Sequence, residues 1–174
     1  MTARFLTGVG LMMALGAGLS AQQPNPITAG SKDNHDGVRD FITRAAEQAP
    51  EELYAFQPTP EVRTFGRLVG HIANANFMIC GAATGAKGPG TDIEKTATTK
   101  AALQKALAES FAFCDKAYAE MTDARGAESV KFFGGERARL AVLAFNTAHN
   151  YEHYGNIVTY MRLKGLVPPS SAPR

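Results

Sequence analysis

The stretch TKAALQKALAESFAFCDKAYAEM, Thr99 to Met121, decides the fold. Leu103, Leu107, Phe111, Cys114 and Tyr118 recur at spacings of three and four, which lines them up on one face of a helix and leaves the charged residues on the other. A helix with one apolar stripe has to bury it against other elements. Upstream, Thr64 is a ready N-cap for a second helix carrying Phe65, Leu68, Val69, Ile72, Ala73, Ala75 and Phe77, which ends near the glycines between Gly85 and Gly90. Before it lies the extended linker Tyr54 to Pro60, where residues preceding Pro58 and Pro60 are pushed away from helical geometry. A first helix runs from about Asn34 to Gln48, with Val38, Phe41, Ile42 and Ala45 at helical spacing. Downstream, a connection containing Gly134-Gly135 leads into a last helix from about Glu136 to Lys164. Gly165 suits its left-handed cap, and Pro168-Pro169 forbids continuation. Nothing reads as a repeated strand. Four such helices bury their stripes most readily as an all-α four-helix bundle, with a crossover permitted in the long second-to-third connection.

The bundle is expected over residues 34–169, flanked by other segments. Arg4 followed by the uncharged run Phe5 to Gly18 reads as a signal peptide over residues 1–21, too short and glycine-rich for a good membrane span. Residues 22–33, with Pro24, Pro26 and Gly30, read as a disordered leader, and residues 170–174 as a loose tail. The expected location is therefore exported, periplasmic or secreted, with no stable membrane span once the signal is cleaved. In an oxidising compartment the two cysteines, Cys80 and Cys114, are candidates for one disulfide, worth about 3–4 kcal/mol in the chain-entropy treatment. Two buried free thiols are the alternative. The 18 basic and 16 acidic residues are scattered, so no surface is marked for a phosphate backbone and nucleic acid is excluded as a partner.

The chain has four histidines. His149 and His153 stand four apart in the last helix, which puts both rings on one face within reach of one ion. Taken alone, such a pair is as well explained by surface or hydrogen-bonded core histidines. His71 adds weight, because it interrupts the apolar run Leu68-Val69-Gly70-His71-Ile72-Ala73, where a lone imidazole would need partners and where Gly70 permits close approach of another helix. Cys80, nine residues on, is half a turn round and should not share the ion. His35, at the start of the first helix, reads as a solvent or cap residue, with a fourth ligand as the alternative. The pattern His149 to His153 also matches the H-x-x-E-H motif of some zinc peptidases, with Glu152 as the base. That motif needs a downstream acidic ligand, and no Asp or Glu follows His153.

These residues carry a family resemblance. Pro58-Thr59-Pro60, the block Phe65 to Ala73, the block His149 to Asn156, Tyr160-Met161-Arg162 and Gly165 to Pro169 are similar to the DinB/YfiT-like family. The resemblance implies a four-helix bundle with a three-histidine metal site at one end, the ligands falling on His71, His149 and His153. It implies a divalent ion, zinc or nickel foremost, and activity as a metal-dependent hydrolase or as a transferase joining a small thiol to an electrophile. A small-molecule substrate in a pocket near Asn74, Asn146, Tyr151 or Asn156, and a homodimer, fit that reading. A non-catalytic metal-binding bundle and a purely structural one remain as alternatives.

Overall fold

The computed structural model describes residues 24–173. Four long helices dominate: α1 (Pro26–Gln48), α3 (Phe65–Thr84), α5 (Lys100–Ala119) and α7 (Arg139–Leu163). Single-turn helices α2 (Glu51–Tyr54), α4 (Ile93–Thr96) and α6 (Asp123–Gly126) sit in the connections. Helix α3 packs on α5 and α7, and α1 packs on α7 and α5, so α1 faces α3 and α5 faces α7 across the diagonals. The diagonal crossings therefore fall in the first and third long connections, whereas the second joins neighbours.

The helix boundaries follow local chemistry. The Thr64 and Thr99 hydroxyls accept from the amides of Arg67 and Ala102, each at 3.2 Å, as N-cap residues do. Gly165 takes φ 71° and lets Leu166 N–H return to Met161 O at 2.9 Å, closing α7. All five residues of the α5 stripe are buried. Cys80 and Cys114 are joined in a disulfide that ties α3 to α5, their Cα atoms 5.4 Å apart. One apolar cluster gathers Ile42, Phe65, Ile72, Phe111 and Ile157. A second holds Ile79, the two cysteines, Tyr118 and Leu143. Between their residues along α3 and α7 lie Asn76, Asn146 and Asn150, all fully buried, the last two donating to Asn76 Oδ1 at 3.1 and 2.9 Å. Among the described residues no helix is long and apolar enough to cross a membrane.

Three expectations are corrected. The leader over residues 22–33 is not disordered from Pro26 onward, because α1 begins there with Pro at its first position. Its exposed amides are capped from far away: Asp123 accepts from Ile27 N–H at 3.2 Å and from Thr28 N–H and hydroxyl at 2.8 Å each. The tail is not loose through Ser171, since Pro169–Ser171 form a 3₁₀ turn in which Ser170 N–H donates to the Tyr154 hydroxyl at 2.9 Å. The last helix starts three residues later than expected, because the preceding residues form an antiparallel hairpin, β1 (Ser129–Phe132) and β2 (Gly135–Ala138), closed by Phe133-Gly134 at φ 45° and 78°. The signal segment, residues 1–21, lies outside the described residues.

Candidate metal centre

His71 is the seventh residue of α3, while His149 and His153 lie one turn apart near the middle of α7. The packing of α3 on α7 brings the three rings together along the helices rather than at a helix end. His149 Nε2 is 3.2 Å from His71 Nε2 and 3.0 Å from His153 Nε2, and one ligand atom from each ring lies within 4.8 Å of the others. Three neutral imidazoles cannot satisfy this arrangement among themselves. Each ring nitrogen offers either one proton or one lone pair, yet His149 Nε2 has two nitrogen neighbours.

The outer faces of the rings are held differently. Glu94 Oε2 stands 3.3 Å from His71 Nδ1, a contact that keeps the proton on Nδ1 and turns the Nε2 lone pair inward. This contact depends on Gly70, where a Cβ would lie 2.8 Å from the Glu94 Cα. Gly70 does admit a close neighbour, but it is the single turn α4 rather than a long helix. Asn74 fixes α4 from α3, donating to Asp92 Oδ1 at 2.8 Å and accepting from Ile93 N–H at 2.9 Å. On α7, His149 packs against Phe145, whose ring centroid is 6.5 Å away, and its Nδ1 is buried without a hydrogen-bond partner among the described residues.

Burial keeps all three imidazoles neutral. It lowers His71, helped by the Arg63 guanidinium, and it lowers His149, helped by His71. His153 falls to about 3, from burial first and then from its two histidine neighbours. Neutral nitrogens with converging lone pairs are what a divalent ion such as zinc or nickel requires, and three of them leave positions for an exchangeable ligand. The donor set therefore fits an ion, with His71, His149 and His153 as its holders.

A cleft of about 530 Å³ opens beside His153, lined by Arg63, Arg67, Glu94, Glu152 and Asn156. Of the expected pocket residues, Asn156 is there, with Nδ2 3.5 Å from His153 Nδ1. Asn146 is fully buried below, Asn74 serves α4, and Tyr151 lines a separate recess beside Asn34. Glu152 is exposed on the cleft, and Cys80 is spent in the disulfide.

His35 is neither a cap nor solvent-facing. It is fully buried inside α1, stacked on Tyr118 with centroids 4.6 Å apart and bonded through Nε2 to Asp115 Oδ1 at 3.0 Å. It belongs to a separate group with Asp36 and Asp115. Glu94 and Arg63 were invisible from the sequence because Glu94 meets His71, and Arg63 meets Glu94, from connections at no periodic spacing.

With this geometry in place, comparison with known proteins is decisive for the family. The pattern of the DinB superfamily matches residues 35–157. The chain belongs to the DinB superfamily. A DinB-like protein from Bacillus cereus superposes with a TM-score of 0.70 at 20% identity, over 81% of this chain and 95% of that one. The DinB-like protein YjoA from Bacillus subtilis gives 0.67 at 18% identity, over 83% and 99%. A mutant of a mycothiol-dependent maleylpyruvate isomerase gives 0.64 at 16% identity, over 75% of this chain and 60% of that one. At these identities the structures share the DinB fold and nothing more specific. No curated protein sequence matches the chain.

Proposed function

We propose that this DinB-superfamily chain is exported, to the periplasm or beyond, and holds one divalent ion, zinc or nickel, through His71, His149 and His153 to act on a small molecule. The observation that carries the reading is the convergence of three neutral Nε2 atoms that cannot satisfy one another. Bound there, the ion would supply Lewis-acid polarisation of a water, thiol or carbonyl, the chemistry of a hydrolase or transferase. The protein's share is positional: Glu94 fixes the His71 tautomer, Phe145 backs His149, and the cleft beside His153 admits a substrate. Glu152, exposed on that cleft, is placed to accept a proton from a group bound there. The disulfide and the Arg4 to Gly18 segment support export. The open cleft favours an enzyme over a non-catalytic metal-binding bundle, because the histidine group includes no fourth protein ligand among the described residues.

Metal content by mass spectrometry, on protein purified without a histidine tag, tests this. About one ion per chain is expected, absent from a His149→Ala/His153→Ala variant whose helical circular dichroism persists. No uptake after dialysis against zinc and nickel would reduce the three histidines to packing residues.

A further inference from the structure

Arg63 is a guanidinium held at two points beside the histidines, by its backbone and by its Nε, and left with both Nη groups free among the described residues. Its carbonyl oxygen accepts the Tyr160 hydroxyl at 2.8 Å, which pins the backbone of the linker just before α3. Its Nε donates to Glu94 Oε1 at 3.1 Å, which aims the side chain. Glu94 is nearly enclosed, its side chain 13% exposed, whereas that of Arg63 is 41% exposed, so the anchor is fixed and the charged end is accessible. Both Nη groups make no hydrogen bond or ion pair among the described residues. Arg63 and His153 line the same cleft.

The charge balance limits what can bind. Glu94 carries one negative charge, and its Oε1 is shared by Arg63 Nε and Arg67 Nη2, at 3.1 and 3.3 Å. Two guanidiniums on one carboxylate leave one positive charge uncompensated at the floor of the cleft. On its lining, Glu61 and Glu152 form no ion pair among the described residues. With these two carboxylates the charged lining sums to one negative charge, so an anion is held there only by direct contact with a guanidinium, and a dianion is opposed more than a monoanion. The two Nη groups also present a planar fork, which matches the two oxygens of a carboxylate.

From this geometry we infer that Arg63 reads a monocarboxylate on the substrate, gripping it end-on through its Nη groups while the reacting group of the same molecule lies toward His153. This deepens the proposed function and rests on the cleft being its substrate site. Arg63 is a specificity residue here. The substrate class becomes small molecules with one carboxylate and, within a few bonds, a thiol, hydroxyl or carbonyl.

The test uses the cobalt-loaded protein and two probes, 3-mercaptopropionate and its neutral amide, read by the thiolate-to-cobalt absorption band. The acid should bind at least about tenfold more tightly than the amide, the scale of one charge-assisted contact. Arg63→Met should bring the ratio to about one with amide affinity unchanged, and Arg63→Lys should restore part of it. Equal binding of the two probes by the natural protein, or a ratio that survives Arg63→Met, overturns the inference. Inorganic phosphate competing as well as propionate overturns the monocarboxylate assignment. If no cobalt is taken up, the metal reading fails by itself. Arg63 is then judged on the metal-free protein by the ¹⁵N resonance of its Nε–H: a saturable shift with propionate and none with propionamide sustains the inference, and no shift ends it.

Discussion

Among the described residues, two groups bring three ligand-type side chains within 4.8 Å of one another, and they are built on opposite principles. Around His35, the carboxylates of Asp36 and Asp115 are already answered by protein cations. Arg39 Nη1 lies 2.7 Å from Asp115 Oδ2 and 3.3 Å from Asp36 Oδ1, and Lys32 pairs with Asp36. The centre of that group is filled by a guanidinium. Around His149 the three imidazoles are uncharged, no protein cation stands among them in the described residues, and the acid, Glu94, sits outside with its charge directed at the back of His71. Proximity of His, Asp and Glu is common to both. What separates a metal centre from an ion-pair network is whether the protein supplies its own cation.

The largest effect that would sharpen this contrast is thermodynamic linkage. An ion that binds only the folded state at 100 times its dissociation constant stabilises that state by about 2.7 kcal/mol. For a domain of this size that corresponds to a melting shift of roughly 5–10 °C. Zinc should produce such a shift by differential scanning calorimetry, and a chelator should reverse it. The same titration on Arg39→Met should give the same shift, because the His35 group takes no part. A shift lost with Arg39→Met would erase the distinction between the two groups.

A smaller effect is expected at Glu94. Glu94→Gln keeps the size of the side chain but removes the charge behind His71 Nδ1, and loss of such a partner weakens metal affinity by about 10–100-fold. Competition with a chromophoric chelator measures this directly. Asp115→Asn, which makes the analogous change behind His35, should leave zinc affinity unaltered. Equal losses from both variants would mean that they act through general destabilisation of the bundle.

The same contrast explains which parts were legible in the sequence. The α5 stripe, the Thr64 and Thr99 caps and the Gly165 terminus are encoded within a few residues, so periodicity and capping chemistry place them. His149 and His153 are legible because one helix sets their spacing, and His71 because an imidazole stands out in an apolar run. The first eight residues of α1 were missed because the carboxylate that caps them, Asp123, lies 95 residues from Thr28. The hairpin was missed because four-residue strands are too short for a clear alternation, and Phe133 occupies a left-handed turn position that asparagine or glycine would have signalled. Starting α1 too late also made His35 look like a frayed terminus, when it is enclosed by Tyr118 and Phe111. Glu94 and Arg63 sit in connections whose paths depend on tertiary contacts.

The smallest expected effect is the pH response of His35. Its pKa is lowered from 6.5, chiefly by burial, against the opposing pull of Asp115 and Asp36 and with a small further lowering by Arg39. A histidine whose folded pKa lies below its unfolded value is held neutral by the fold. As pH falls through 6.5, the unfolded chain takes up a proton that the folded chain refuses, so stability declines until the folded pKa is reached. One group contributes a slope of at most about 1.4 kcal/mol per pH unit. Comparing the natural protein with His35→Gln, both with zinc, isolates this slope, because the other histidines titrate alike in the two. The stability advantage of the natural protein by urea unfolding should be constant from pH 8 to 7 and shrink toward pH 5. An advantage that grew on acidification would mean that Asp115 holds His35 as an imidazolium. The second group would then contain a cation of its own making, and its contrast with the neutral histidine centre would be stronger than burial alone implies.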